Sequence, residues 1–409
     1  MAEKVFIAKE QTAQEILSNT EKILAGAGNG KAKRYGMRIN LADSNPETRV
    51  TYLYDAVGMQ PARMNFTSGM FDYGDWGDVW FVKNNRPVML LNDGTIDYEL
   101  DHENHALKLD GGASDIASSA YMGNAMSEIP LIWVKRYKKN NYHFVIFCES
   151  QFDETYKPYA HTDVNKNILP VKYWPMYEGC VINSRMRSLS GQTVTVSLTD
   201  EQETAAAQQN GELWDKLSYS DCELMWEMCT MISKSTNSQA AFGSGNSGGS
   251  SYLKTGTMNG LGQFYGYSAT GNGVKLFYCE NFYGNYWKRI RGIINDKGNI
   301  KVKFTPPYDS TGKDYISTGV TPAGTSGGYI NRMEMTDGGR IPALASGSET
   351  TFECDSLYYN NSQVDVALFG GDRGAGSGCG LSCWSLSNLA TYVLANIGAS
   401  LSCFPPVTA

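Results

Sequence analysis

Residues 366–401 read VALFGGDRGAGSGCGLSCWSLSNLATYVLANIGASL, and this stretch indicates both the fold and the function of the chain. Apolar residues and glycines recur in it, and short, chemically unrelated side chains stand between them. A catalytic site needs particular groups at particular places, whereas this segment has the opposite character. We therefore predict a rigid frame, with tight turns at its glycines, whose exposed positions accept almost any side chain.

The composition is that of a globular protein whose 409 residues are enough for two or three domains. Abundant Tyr, Phe and Gly together with sparse charge favour short strands and wide turns. The formal net charge is -7. This charge argues against a nucleic-acid partner, because nucleic-acid binders present a basic face.

Cysteine usage and the N-terminal residues bear on the compartment of the protein. Nine cysteines are scattered along a long chain, which predicts buried free thiols rather than a disulfide framework. The first ten residues, MAEKVFIAKE, contain no apolar signal-peptide core, and no stretch is long and apolar enough to cross a membrane. We expect synthesis in a cytoplasm and no membrane insertion.

Local sequence patterns predict two helices among many short strands. Helices are predicted over 11–25 and 221–234, and hairpins over 87–100 and 129–150. The Gly/Ser-rich stretch 244–251 predicts a flexible loop or a linker. Because strands and helices do not alternate as βαβ units, the expected fold class is α+β.

Sequence motifs of catalysis and of metal binding are absent or incomplete. There is no Walker loop and no G-x-S-x-G elbow, and the evenly spaced glycines of 374–380 do not form a dinucleotide fingerprint. His102 and His105 lack the i, i+4 spacing of a helical zinc protease. Cys379 and Cys383 could form a redox or copper pair, but cysteine usage favours buried core thiols. We expect no enzyme, no metal and no cofactor.

Several segments of the chain match one family pattern. The tail resembles the variable region of proteins diversified by retroelements, which have a C-type-lectin-like fold in the branch related to formylglycine-generating enzymes. GNYW at 284–287 is similar to the G-N-x-W motif of that branch, and the first ninety residues resemble the leading part of gut-phage tail proteins. The similar tail residues are FGG at 369–371, CGL at 379–381, LSN at 386–388 and NIGASL at 396–401.

The resemblance implies an organisation and a role for the whole chain. It implies a helical attachment segment at 1–30, a β-rich N-terminal domain at 31–125, and a C-type-lectin-like domain at 126–409 with its variable region at about 366–403. The implied role is a receptor-binding, host-attachment subunit at a phage tail tip, made in the host cytoplasm and carried in the virion. Expected partners are a bacterial surface protein or glycan and the phage tail or baseplate proteins, with the protein as a homotrimer.

The resemblance also implies which residues meet the ligand. Family members carry asparagine in the variable slots, because adenine-directed mutagenesis acts on AAC or AAT codons. The residues in those slots here are reachable from such codons, and Asn388 is retained. The implied ligand-binding residues are Asp372, Arg373, Gly374, Ala375, Ser377, Gly378, Ser382, Ser385, Ser387, Asn388, Tyr392 and Leu394.

Other interpretations of the same features stay open. A formylglycine-generating-type copper oxidase would act on a substrate cysteine, but Cys379 and Cys383 do not reproduce the paired-cysteine motif of that family. A diversified bacterial surface adhesin would need an export signal, which the N-terminus lacks. Trp287 and Trp384 are interpreted as core anchors, with sugar-stacking platforms as the alternative.

Overall fold

The computed structural model describes residues 32–407. This part of the chain is a mixed, sheet-rich fold with 35% strand and 10% helix, which agrees with the expected α+β class. The predicted attachment segment at 1–30 and its helix at 11–25 lie outside the described residues.

The strands and helices are numbered in chain order through the described residues. The first strands are β1 Arg34–Asn40, β2 Val50–Tyr54, β3 Arg63–Asn65, β4 Met70–Asp72, β5 Arg86–Leu91, β6 Ile96–Glu99, β7 Gly123–Pro130, β8 Trp133–Lys139, β9 Tyr142–Cys148, β10 Val171–Pro175, β11 Cys180–Ile182, β12 Arg185–Arg187, β13 Trp214–Lys216 and β14 Tyr265–Gly266. The others are β15 Val274–Leu276, β16 Cys279–Glu280, β17 Trp287–Asp296, β18 Asn299–Val302, β19 Ile316–Ser317, β20 Ala323–Gly324, β21 Gly328–Thr336, β22 Gly339–Ala345, β23 Ser356–Tyr359, β24 Val364–Phe369, β25 Trp384–Asn388, β26 Ile397–Gly398 and β27 Leu401–Cys403. The helices are α1 Trp80–Lys83, α2 Asp200–Gln208, α3 Tyr219–Ser233 and α4 Ser238–Phe242, with 3-10 turns at Tyr159–His161 and Gly376–Gly378.

Two sheets combine N-terminal strands with strands from much later in the chain. Their strand orders are β2-β1-β9-β8 and β13-β27-β10-β7-β5-β6. The predicted boundary between residues 125 and 126 falls inside β7, which pairs with β5 on one side and with β10 on the other. Residues on both sides of that boundary therefore share sheets, and one hydrophobic core extends from Tyr35 to Leu386.

The elements with strong local signals are present. The predicted hairpins correspond to the antiparallel pairs β5–β6 and β8–β9, and the helix predicted over 221–234 corresponds to α3. The helix begins two residues before the predicted start at 221. The helix begins after Ser218, because the Ser218 hydroxyl accepts from the Asp221 amide while the Asp221 carboxylate accepts from the Ser218 amide. All residues of α3 are buried, so its acidic side chains need buried partners.

The largest sheet places the C-terminal tail in the centre of the fold. Its strand order is β19-β18-β17-β24-β25-β23-β21-β22-β20, and β26 adds to β17 in parallel. Helix α3 packs against β17 and β22. Since β24 and β25 come from residues 364–388, the tail supplies two central strands rather than a peripheral loop alone.

The cysteines are structural thiols. All nine are free and buried, as predicted. Burial raises the pKa of the Cys180 thiol to about 11, so this group stays protonated at neutral pH. Within residues 32–407, no helix combines the length and the apolar character needed to cross a membrane.

Candidate functional site

Four neighbouring strands of the largest sheet form the floor of a surface pocket. Along β25, Trp384 and Leu386 belong to the main hydrophobic core, whereas Ser385 and Ser387 point to the opposite face, because side chains alternate along a strand. We call this second face the outer face. It also carries Leu368 of β24 opposite Ser385. The apolar residues of this alternating sequence therefore face the core, and the serines between them face the pocket.

A β-bulge brings a third polar residue of β25 into the pocket. Val366 of β24 pairs with Asn388, whereas Leu368 pairs with Ser385, so β25 contains one extra residue between these two pairs. The extra residue places Asn388 on the same face as Ser387 although the two are adjacent in the chain. The side chains are linked, since the Asn388 amide donates to the Ser385 hydroxyl at 2.8 Å and the two serine hydroxyls lie 3.1 Å apart.

Two aromatic residues from flanking strands complete the floor. Trp287 of β17 and Tyr358 of β23 meet edge to face, with ring centroids 5.8 Å apart and an interplanar angle of 89°. Tyr358 lies beside Ser385 in the parallel pair of β23 and β25. Burial, followed by the nearby Cys383 and Asp372, raises the pKa of the Tyr358 phenol, so it remains a neutral hydroxyl in the pocket.

Two loops form the rim of the pocket and leave a cavity of about 300 Å³. One loop supplies Asp372, whose carboxylate accepts hydrogen bonds from the Gly374 amide at 3.1 Å and from the Asn396 side chain at 2.8 Å. That second bond ties the two rim loops together. The lining residues are Trp287, Tyr358, Leu368, Asp372, Gly374, Ala375, Ser385, Ser387, Asn388, Leu394, Asn396 and Ile397.

Apart from the Asn396 side chain, the rim loop of residues 389–396 is held by hydrogen bonds to its main chain. The Asp200 amide donates to the Ala390 carbonyl at 2.8 Å, and the buried Arg289 guanidinium donates to the Tyr392 carbonyl at 2.8 Å. The Ser197 amide donates to the Leu394 carbonyl at 3.2 Å. These hydrogen bonds satisfy the carbonyls of Ala390, Tyr392 and Leu394, and the side chains of 391–395 are exposed.

The other rim loop is anchored in the same way. The Arg373 amide donates to the Asn285 carbonyl at 3.0 Å, and the Gly376 amide donates to the Ser247 carbonyl at 2.8 Å. The Gln239 side chain donates to the Gly376 carbonyl at 3.0 Å. Ser247 is fully buried, and the Gly/Ser-rich stretch 244–251, which contains no helix or strand, supports the rim as a loop. Backbone anchoring therefore extends along both sides of the pocket.

Asn285, in the GNYW segment, organises the loops beneath the rim. It has a positive φ of 61°, a conformation that asparagine tolerates better than most residues. Its side-chain oxygen accepts from the Asn246 amide group at 2.8 Å and from the Leu253 amide at 2.9 Å, and its nitrogen donates to the Glu178 carboxylate. This short side chain thus joins three segments, while the main-chain carbonyl of Asn285 accepts from the Arg373 amide of the rim loop.

The pocket gathers seven of the twelve predicted ligand-binding residues: Asp372, Gly374, Ala375, Ser385, Ser387, Asn388 and Leu394. Three others lie outside the lining. Tyr392 and Ser377 are exposed, whereas the half-buried Arg373 guanidinium stacks 4.6 Å from the ring centroid of Tyr252. The structure thus brings most of the predicted slots together, and their role in ligand binding stays a prediction.

Two predicted residues do not face the solvent. Ser382 is fully buried, and its hydroxyl bonds to the Arg340 guanidinium at 3.2 Å and to the Glu353 carboxylate at 3.1 Å. Gly378 is buried too, and a Cβ added there would meet the Ser356 hydroxyl at 2.2 Å. The prediction that these two positions are outward-facing slots is wrong, because one belongs to a buried polar network and the other has no room for a side chain.

We expect the two glycines of the rim loop to differ in their tolerance of substitution. Gly378→Asn should lower the free energy of unfolding by about 1–3 kcal/mol through overpacking. Gly374→Asn should change it by less than about 0.5 kcal/mol, because Gly374 is exposed. Urea denaturation of the two variants measures the difference. Equal stabilities would contradict the assignment of Gly378 to the frame.

The copper-oxidase alternative would require Cys379 and Cys383 to reach a metal. Both thiols are fully buried, and burial raises the pKa of each above its ordinary value. The Cys379 thiol donates to the Gly370 carbonyl at 2.9 Å. Metals bind the thiolate, so these environments suit core thiols better than ligands. Among residues 32–407, no group of three or more His, Cys, Asp or Glu side chains is placed to hold a metal ion.

Five residues of the pocket lining were not predicted as ligand contacts: Trp287, Tyr358, Leu368, Asn396 and Ile397. Trp287 was interpreted chiefly as a core anchor, yet it is 8% exposed and lies in the pocket floor. Tyr358 carries no signal in the sequence, because only strand pairing brings it beside the tail. Asn396 lies within the quoted tail segment and could have been found there. A scan of protein-family models and a search of curated proteins found no match to this chain.

Proposed function

We propose that this protein is a receptor-binding, host-attachment protein of a phage tail tip, with a diversifiable ligand-binding surface at its C-terminal face. The observation that carries the proposal is that seven of the predicted ligand-binding residues line one pocket. The rim of that pocket is held by backbone hydrogen bonds, so its side chains can change without loss of the fold. Interchangeable side chains on a rigid scaffold are what a recognition surface requires.

The finer fold assignment is part of the same proposal. A C-type-lectin-like arrangement of the C-terminal region is supported by its few helices, its irregular loops and its mixed sheet. The position of the tail is in keeping with that arrangement, since β24 and β25 are central strands and the intervening residues form the rim. Fold alone does not specify function, so the assignment adds to the argument from the pocket and does not replace it.

We also propose that the protein acts in the virion as a homotrimer, attached to tail or baseplate proteins, and that its partner is a bacterial surface molecule. A pocket of about 300 Å³ contacts little ligand surface, so a single site binds weakly. Several copies on one particle raise the overall avidity by about 10²–10⁴ when the sites engage together. Modest affinity at each site is therefore compatible with attachment.

The proposal is tested with labelled full-length protein on a panel of candidate gut bacteria. A display variant replaces four exposed positions of the rim loops with Gly374→Tyr, Ser377→Arg, Tyr392→Asp and Leu394→Asp. We expect cell binding to fall at least about tenfold, because removing interface contacts commonly costs that much. Flow cytometry measures the bound protein, and thermal denaturation verifies that the variant is folded.

A matched control variant changes four exposed residues near the edge strand β19. It carries Lys313→Tyr, Ile316→Asp, Ser317→Arg and Thr321→Asp, and it should bind cells like the wild type. Equal binding by the display variant and the wild type would overturn the proposal. Wild-type protein that binds no strain of the panel would count against it as well.

A further inference from the structure

We propose that the outer-face pocket binds one uncharged sugar ring at the end of a bacterial surface glycan. This inference rests on the proposed function and specifies the chemistry of its ligand. It is argued from the shape of the pocket, from its aromatic floor, from its hydrogen-bonding groups and from its charge.

The size of the pocket suits a single ring. Its volume of about 300 Å³ lies at the lower end of the roughly 300–1,000 Å³ that small-molecule sites span. Leu368 and Ile397 line its base, and Trp287 and Tyr358 contribute aromatic surface. A sugar ring presents apolar C–H groups on its faces, and an apolar or aromatic floor is the surface that receives them.

The polar groups around this floor suit a ligand that is rich in hydroxyls. The Asp372 carboxylate is an acceptor only, whereas the Ser387 hydroxyl both donates and accepts. The side-chain nitrogens of Asn388 and Asn396 donate to Ser385 and Asp372, and among residues 32–407 no donor reaches either amide oxygen. The pocket therefore offers mainly acceptors and hydroxyls, and sugar hydroxyls can donate to them. An apolar protein side chain would leave these groups without partners, at a cost in affinity.

The charge of the pocket selects against acidic sugars. Its lining contains one carboxylate, that of Asp372, and no Lys or Arg among the described residues. The cations nearest in sequence are occupied, since the Lys288 ammonium pairs with Glu178 at 3.2 Å and the Arg373 guanidinium stacks on Tyr252. A sialic acid or a phosphosugar would bring a second anion against Asp372 in a partly desolvated site. Neutral hexoses and N-acetylhexosamines avoid this repulsion.

The test uses the purified full-length chain with glucose, galactose, mannose, N-acetylglucosamine and the acidic N-acetylneuraminic acid. Saturation-transfer NMR and calorimetric titration measure binding. We expect at least one neutral sugar to bind with a Kd on the order of 1 mM, as the small number of ligand atoms permits, and N-acetylneuraminic acid to bind more weakly.

Two substitutions distinguish pocket binding from binding elsewhere on the protein. Ser387→Phe fills the pocket from a half-buried position and should weaken the neutral sugar at least about tenfold. Thr391→Phe adds the same ring at an exposed rim position outside the lining and should leave Kd unchanged. Asn388→Ala removes one amide without adding bulk, so it reports on the pocket if Ser387→Phe is unstable.

The possible outcomes separate this inference from the proposed function. The inference is overturned if no neutral sugar binds, if the acidic sugar binds best, or if Ser387→Phe and Asn388→Ala both bind like the wild type. If the display variant nevertheless loses cell binding, attachment stands and its receptor is not a neutral sugar bound in this pocket. If neutral sugar binds in the pocket while the display variant still binds cells, the pocket is a sugar site and the attachment proposal fails.

Discussion

Arg340→Leu should destabilise the protein by about 3–5 kcal/mol, the usual cost of removing one partner from a buried ion pair. The Arg340 side chain is 1% exposed and pairs with Glu223 at 3.1 Å and with Glu353 at 2.9 Å. Its guanidinium also lies 3.1 Å from the ring centroid of Trp226 and donates to the Ser382 hydroxyl. Leucine would leave two carboxylates in the core with too few partners.

The pH dependence of the stability lost in Arg340→Leu shows whether the unpaired Glu223 carboxylate causes the loss. Burial raises the pKa of Glu223 above its ordinary value, and Arg340 is the main group that opposes the rise. Without Arg340 the carboxyl group should favour the protonated form more strongly, so the stability lost at neutral pH should be partly regained as the pH falls. Urea denaturation at several pH values measures this change. Arg332→Leu, at a residue 53% exposed, is the matched control, and an equal effect of the two substitutions would contradict the prediction.

Arg289→Leu should destabilise the protein by about 3 kcal/mol and should also loosen the rim loop. The Arg289 guanidinium is fully buried, pairs with Glu203 at 3.0 Å and donates to the carbonyls of Leu198 and Tyr392 at 2.9 and 2.8 Å. Lys216 also pairs with Glu203, which keeps the expected loss at the lower end of the range for buried pairs.

Hydrogen exchange locates the effect of this substitution within the chain. Amides of residues 389–396 should exchange faster in Arg289→Leu, because the main-chain anchor of Tyr392 is lost. Tyr392→Ala removes an exposed side chain and keeps the carbonyl, so its stability should stay within about 0.5 kcal/mol of the wild type. Unchanged exchange in Arg289→Leu would show that the loop does not depend on this anchor.

Local sequence signals predicted the elements that depend on neighbouring residues. Local turn and periodicity signals predicted the hairpins over 87–100 and 129–150 and the helix over 221–234. The burial of all nine cysteines followed from their scattered positions in a long chain. Each of these features is decided within a few residues, by turn chemistry, by periodicity or by apolar neighbours.

Features that depend on contacts between residues far apart in the chain were not predicted correctly. The boundary at residue 125 falls within β7, because the partners of β7 come from residues 86–91 and 171–175. Ser382 was predicted to be an exposed ligand-binding residue, because its neighbours Leu381 and Cys383 do not indicate the buried arginine that it contacts. Gly378 was read in the same way, and only the three-dimensional proximity of Ser356 closes that position to larger residues.

The candidate site was predictable wherever strand periodicity determines it. Ser385 and Ser387 alternate with Trp384 and Leu386, so their common face could be inferred from the sequence. The bulge that adds Asn388 and the pairing that adds Tyr358 depend on sheet register, which the sequence does not display. The side chains of the pocket were thus mostly anticipated, whereas the concave shape that they form was not.

The alternation along β25 also restricts the kinds of mutation that this surface can accommodate. A base change that preserves chain length keeps Trp384 and Leu386 directed into the core, whatever residue lies between them. Insertion or deletion of one codon there would exchange the two faces of the strand, so that hydroxyls entered the core and the indole entered the solvent. We therefore expect this strand to tolerate codon replacement at Ser385 and to misfold after a change of one codon in gene length.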